Sequence, residues 1–272
     1  LTIHPKKVGP RSFSRSSVYY HINFFLANFD HYNPGVSKLF ICSNNDIIPL
    51  IVRIIILIYR KGLFMEVVEL SHPLVLHKLS ILRNEKTGTK EFRELISELA
   101  TILCYEAMKD AKLDDVEVKT PMCRMKGKKL NEDNYAFVPI LRAGTGMLEG
   151  LIRVMPNAKI GHIGLYRNEE TLKPVKYYYK MPKGIENREV IVLDPMLATG
   201  GSGCDAITML KESGAKKIKF LAIIAAPEGI KRMQEEHPDV QIYCAAVDEK
   251  LNDIGYIVPG LGDAGDRIFG TK

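Results

Sequence analysis

Apolar residues along this chain fall into two kinds of run. At 135–141 (YAFVPIL), 190–193 (VIVL) and 218–225 they are short and nearly continuous, as expected of strands buried on both faces of a parallel sheet. At 89–110 they recur at helical spacing, so that Phe92, Leu95, Ile96, Leu99, Ile102 and Leu103 share one face. The body continues in alternation: strand 135–141, helix near 146–154, strand 159–165, strand 190–193, helix near 203–213, strand 218–225, helix 227–236, strand 240–246. That order predicts an α/β fold, a mainly parallel sheet with helices on both faces. Residues 168–180 alternate polar and aromatic side chains about Lys173-Pro174 and predict a protruding β-hairpin. The basic stretch 121–130 (PMCRMKGKKL) reads as a solvated turn or flap over the site. The Gly-rich segment 255–270 has too few apolar residues for a core element and reads as a ligand-binding loop.

The strand at 190–193 runs directly into Asp194, then into PMLATGGSG. Gly200 and Gly201 permit torsions that a Cβ forbids and let main-chain N–H groups approach an anion. Ser202 is the expected N-cap of the following helix and Gly214 its C′ stop. A phosphate over that helix start gains from unpaired N–H groups and the helix dipole, with Thr199 and Ser202 as hydroxyl donors. A bare Gly-rich turn would serve only to connect elements. An acid at the strand end argues for more, because ligands bind outside the carboxyl ends of strands in open α/β sheets. The string is neither a Walker A loop nor a GxGxxG dinucleotide motif. Arg142, also directly after a strand and followed by Ala-Gly-Thr-Gly, is a charge-assisted donor placed for a diphosphate.

Composition changes the picture at one end. The formal charge is +6, and all of it lies in residues 1–64, which hold four Lys and four Arg against two Asp and no Glu. Residues 65–272 carry 30 basic and 30 acidic residues, so a nucleic-acid reading based on pI is rejected. The apolar run IIPLIVRIIILI at 47–58 is too short to span a bilayer and is interrupted by Pro49 and Arg53. The expectation is that residues 1–64 are translated upstream sequence or a leader, and that the functional domain is 65–272, opening at Met65. The five cysteines (42, 104, 123, 204, 244) form no metal spacing, which points to a reduced, cytoplasmic setting. Cys204 and His162 read as structural residues.

The string LDPMLATGGS resembles the diphosphoribosyl-binding loop of uracil phosphoribosyltransferases. VPILRAGTGM at 138–147, GLYRNEETLKPVKYY at 164–178, AAPEGI at 225–230 and GYIVPGLGDAGDRIFGTK at 255–272 resemble the same family, in its order. A single acid followed by Pro195, where other phosphoribosyltransferases carry two acids, is the uracil-enzyme form. The chain departs at Thr145, where the family often has a larger apolar residue, and at Gly203-Cys204, which bears on helix packing.

The resemblance implies a phosphoribosyltransferase-type fold with a hairpin arm and a base-binding carboxyl-terminal loop. The implied reaction is uracil plus 5-phospho-α-D-ribose 1-diphosphate to UMP plus diphosphate. By matched positions, Asp194 would hold the ribose hydroxyls. The 5′-phosphate would sit on Ala198, Thr199, Gly200, Gly201 and Ser202, with Pro195, Met196 and Leu197 completing the loop. Arg142 and Arg167 would contact the diphosphate. Asp263 would engage the donor through Mg2+. Ile257, Gly262, Asp263 and Ala264 would read the uracil edge. GTP activation and a homodimer or homotetramer are implied in the same way. A competing reading is a non-catalytic nucleotide-sensing regulator on the same fold; a third is an enzyme for a purine base.

Overall fold

The computed structural model describes residues 67–167 and 174–271. The expectations for residues 1–64 and for the hairpin tip at 168–173 lie outside the described residues. The described chain opens with β1 (Val67–Glu69), α1 (Pro73–Arg83) and α2 (Thr89–Ala107), followed by β2 (Leu113–Lys119) and β3 (Arg124–Leu130). Then come β4 (Tyr135–Leu141), α3 (Thr145–Val154), β5 (Lys159–Ile160), β6 (His162–Arg167), β7 (Pro174–Lys180), β8 (Glu189–Leu193) and β9 (Met196–Leu197). It closes with α4 (Gly201–Glu212), β10 (Lys217–Ala225), α5 (Pro227–Glu236), β11 (Gln241–Val247), β12 (Lys250–Leu251), β13 (Ile257–Val258) and α6 (Ala264–Phe269).

The main sheet runs β1-β11-β10-β8-β4-β6-β7. Its neighbouring pairs are parallel except the hairpin β6–β7, which is antiparallel at the edge. Successive residues of one strand feed opposite faces. Val190 and Val192 pack with α4 and α5, while Ile191 and Leu193 pack with α1, α2, α3 and α6. A strand clad on both sides cannot afford polar alternation, hence its unbroken apolar run. Helix α2 meets the sheet along the expected face, with Phe92, Leu95, Ile96, Leu99 and Leu103 buried.

Three expectations are corrected. Residues 124–130 form strand β3, paired antiparallel with β2 in a ribbon apart from the main sheet. Its cations stand opposite acids, with Lys128 2.7 Å from Asp115 and Arg124 3.2 Å from Glu117; a basic run read alone hides the acidic strand that balances it. Ser202 is not the N-cap of α4. Gly200 holds that position without a side-chain cap, and Ser202 lies within the first turn. The carboxyl-terminal segment is more than a loop: Ile257, Leu261, Ala264 and Ile268 are buried in the core, and α6 is capped by the Asp263 side chain.

Candidate active site

Strands β4 and β8 lie side by side, and both release their loops at the same edge of the sheet. Asp194 follows β8 and stays attached to the sheet, its N–H donating to Leu221 O at 3.2 Å. Pro195 O accepts from Ile223 and Ile224 N–H at 3.0 and 3.1 Å, and Leu197 O accepts from Ala226 N–H at 2.9 Å. The Asp194 backbone therefore cannot drift, and its half-buried side chain projects from a rigid strand end.

Burial pushes the Asp194 carboxyl up to about 7, opposed by the Met196 N–H that points at it. The native state thus holds a proton that the unfolded chain releases near its ordinary value. Stability contributed at this position is present below about pH 4, declines between pH 4 and 7, and stays low above. Hydroxyl donors reaching this carboxylate would favour its ionised form, so affinity for a ligand that places hydroxyls on Asp194, as the resemblance implies for the ribose, is expected to rise from pH 6 to pH 8. Calorimetric titration with the diphosphoribosyl donor across that range tests this; a slope equal in wild type and Asp194→Asn would refute it.

Beyond Leu197 the chain turns through Ala198 and Thr199 into Gly200, at φ 78°, a left-handed conformation that favours glycine. The loop lies on the amino end of α5, where a Cβ at Gly200 would stand 3.0 Å from Gly229 O. Thr199 Oγ1 accepts from Gly201 N–H at 3.4 Å, and the first bond of α4 runs from Cys204 N–H to Gly200 O at 2.9 Å. The N–H groups of residues 202 and 203 also precede that bond, at a helix start of the kind able to receive an anion.

Gly144, after β4, is packed so closely that a Cβ would lie 2.3 Å from Leu193 O. This contact docks the Arg142 loop against the strand carrying Asp194. Arg142 is exposed, its guanidinium 5.6 Å from the Phe269 ring centre. The carboxyl-terminal segment closes the same edge: a Cβ on Gly146 would meet Ile268 Cδ1 at 3.0 Å, and one on Gly255 would meet Thr199 Cγ2 at 3.9 Å. Asp263 is exposed and accepts from Asp266 N–H at 2.8 Å. The stretches carrying Arg142, Asp194 with its glycine loop, and the carboxyl-terminal segment are therefore neighbours. Arg167 ends β6, and its side chain lies outside the described residues. Cys204 is buried, and its thiol is pushed up to about 12 by burial, consistent with a structural role.

Sequence reasoning missed the struts that hold the carboxyl-terminal segment. Arg83 pairs with buried Asp248, and both bond to Gly260. Arg93 Nε donates to Ile268 O, and Arg267 stacks 4.2 Å from the Phe92 ring centre. Asp248 did leave a signal, since it ends an apolar strand as Asp194 does.

A parallel sheet with an acid and a glycine loop at one strand end, and an arginine loop beside it, is an arrangement suited to a phosphate-bearing ligand. The family model for uracil phosphoribosyltransferase matches residues 68–271. The uracil phosphoribosyltransferase of Clostridium botulinum (strain Eklund 17B / Type B) is 61% identical over 207 residues, covering 76% of this chain and 99% of its own. That of Finegoldia magna is 63% identical over 202 residues, covering 74% of this chain and 97% of its own. The solved structure of the AQ2163 protein from Aquifex aeolicus aligns with a TM-score of 0.72 at 46% identity, covering 76% of this chain and 99% of that one. The chain belongs to the uracil phosphoribosyltransferase family.

Proposed function

We propose that this protein transfers the 5-phosphoribosyl group from 5-phospho-α-D-ribose 1-diphosphate to uracil, forming UMP and diphosphate. The observation that carries the reading is the meeting, at one sheet edge, of the Asp194 strand end, the 198–202 loop and the 255–264 segment. In this reading Ala198 to Ser202 hold the 5′-phosphate on backbone N–H groups. Asp194 accepts from the ribose hydroxyls and stabilises positive charge on the ring as the bond from C1′ to the diphosphate oxygen breaks. Arg142 and Arg167 neutralise the departing diphosphate. Uracil N1 forms the new bond to C1′ and gives up its proton, which the departing diphosphate or solvent takes up. Ile257, Gly262, Asp263 and Ala264 orient the base, so that much of the acceleration comes from positioning.

A divalent cation fits this site if the substrate's diphosphate supplies most of its ligands. Asp263 is an exposed carboxylate able to support Mg2+ bound that way, which would further offset charge on the leaving group. The compact set Cys204, Glu236 and His237 does not suit a hard cation: the thiol is held protonated, and His237 Nε2 already lies 3.0 Å from Cys204 O. GTP activation, a homodimer or homotetramer and a cytoplasmic location belong to the same proposal. No helix among the described residues is long and apolar enough to cross a membrane. The activity is assigned to residues 65–272, and intact-mass analysis of the native protein tests whether residues 1–64 accompany it.

Incubating the full chain with labelled uracil, the diphosphoribosyl donor and Mg2+, with and without GTP, is expected to yield UMP. Absence of UMP in all conditions would favour a nucleotide-sensing role on this fold. Competition by hypoxanthine would favour a purine base.

A further inference from the structure

The loop between β13 and α6 turns at Gly260, where φ is 67°. Both polar main-chain groups of Gly260 are taken up by one ion pair. Its N–H donates to Asp248 Oδ2 at 2.8 Å, and its carbonyl accepts from Arg83 Nη1 at 2.7 Å. Arg83 Nη1 also reaches Asp248 Oδ2 at 2.7 Å, and Nη2 bonds Oδ1, giving a two-pronged pair. The Asp248 side chain is 3% exposed and that of Arg83 23%. The pair joins the last residue of α1, the residue after β11 and the turn of the loop. A second strap converges on the same corner: Arg267 donates to Leu261 O at 2.7 Å and to Asn84 O at 2.6 Å, and Asn84 directly follows Arg83.

We infer that Arg83 and Asp248 are positioning residues for base recognition; this rests on the uracil reading above. Both are engaged with each other and with the Gly260 main chain. The pair withdraws the Gly260 N–H and carbonyl from the cleft, and with them fixes the direction of the groups on either side, at Ile257 and at 262–264. A planar guanidinium supplies the two parallel donors this requires, and an ammonium does not. A base read by main-chain groups is sensitive to their direction, because a displaced donor leaves a buried partner unpaired. The diphosphoribosyl donor rests chiefly on the 194–202 stretch, which is tied to β10 and α5 rather than to this corner, and the carboxylate of Asp263 is held separately, as the cap of α6.

The test uses the full chain in two variants. Arg83→Lys keeps the charge and loses the fork. Arg83→Met with Asp248→Leu removes both charges, so that no buried carboxylate is left alone. In both, the uracil KM is expected to rise at least about tenfold while the donor KM and kcat stay within about threefold. The double variant is expected to melt within a few degrees of wild type and still to show the raised uracil KM, which a purely structural pair would not produce. Uracil and donor KM rising together, a uracil KM unchanged in both variants, or loss of the folded state in both would each overturn the inference. Wild-type turnover in the same assay separates the cases: if it is absent, the uracil reading falls and this one with it. If it is present and the uracil KM does not respond, only the positioning role falls.

Discussion

Asp194→Asn is expected to retain the fold and to lose at least about a hundredfold in kcat, the size of effect seen when one preorganised electrostatic group is removed from a transition state. The side chain is isosteric and its backbone is fixed to Leu221 O, so geometry survives while the charge does not. Burial that holds the carboxyl near 7 destabilises its ionised form, and the neutral amide relieves that penalty. The same variant is therefore expected to melt a few degrees above wild type at pH 8 and level with it near pH 4. Circular dichroism melts at the two pH values, set beside steady-state rates, check both halves. A variant that is more stable at pH 8 and nearly inactive identifies Asp194 as a charge kept for chemistry at a cost in stability. Unimpaired turnover would remove its assigned role.

Gly144→Ala is expected to destabilise the protein by about 2–3 kcal/mol, or to force the Arg142 loop away from β8. Gly144 has φ −58°, which alanine adopts freely, so the effect is steric rather than conformational. The added Cβ would lie 2.3 Å from Leu193 O and 2.7 Å from both the nitrogen and the oxygen of Ile140. All three are backbone atoms of paired strands and cannot swing aside as a side-chain tip can. If the loop moves instead, the donor KM rises and the uracil KM changes less. Gly88→Ala serves as the control, because a Cβ there meets nothing within 4 Å. Equal melting temperatures for the two variants together with an unchanged donor KM would show that the Gly144 contact does not constrain the loop.

Much of the fold was legible because each element carries its own repeat. The runs at 135–141 and 190–193 and the helical face of 89–107 report how many sides of an element are buried, and burial is a property of neighbouring positions along the chain. The Asp194 loop was legible for a similar reason: acid, glycines and helix start are contiguous, so their geometry is local. The ribbon β2–β3 was not. Its acids at 114, 115 and 117 and its cations at 124, 126 and 128 neutralise one another only when the strands pair. The helix cap was misassigned to Ser202 because a side-chain preference was weighed without the left-handed turn at Gly200, which starts the helix earlier.

By itself the sequence determined the parallel α/β body, the acid and anion loop after β8, the arginine after β4 and the confinement of net positive charge to residues 1–64. All of these rest on spacing or composition within a single segment. Tertiary structure alone decided that the carboxyl-terminal segment packs into the core, that Gly144 locks two loops together, and that Arg83 and Asp248 meet across 165 positions of chain to hold Gly260. Those are contacts between segments with no shared period. Their energy depends on close approach and on desolvation, neither of which exists until the sheet has brought the strand ends to one edge.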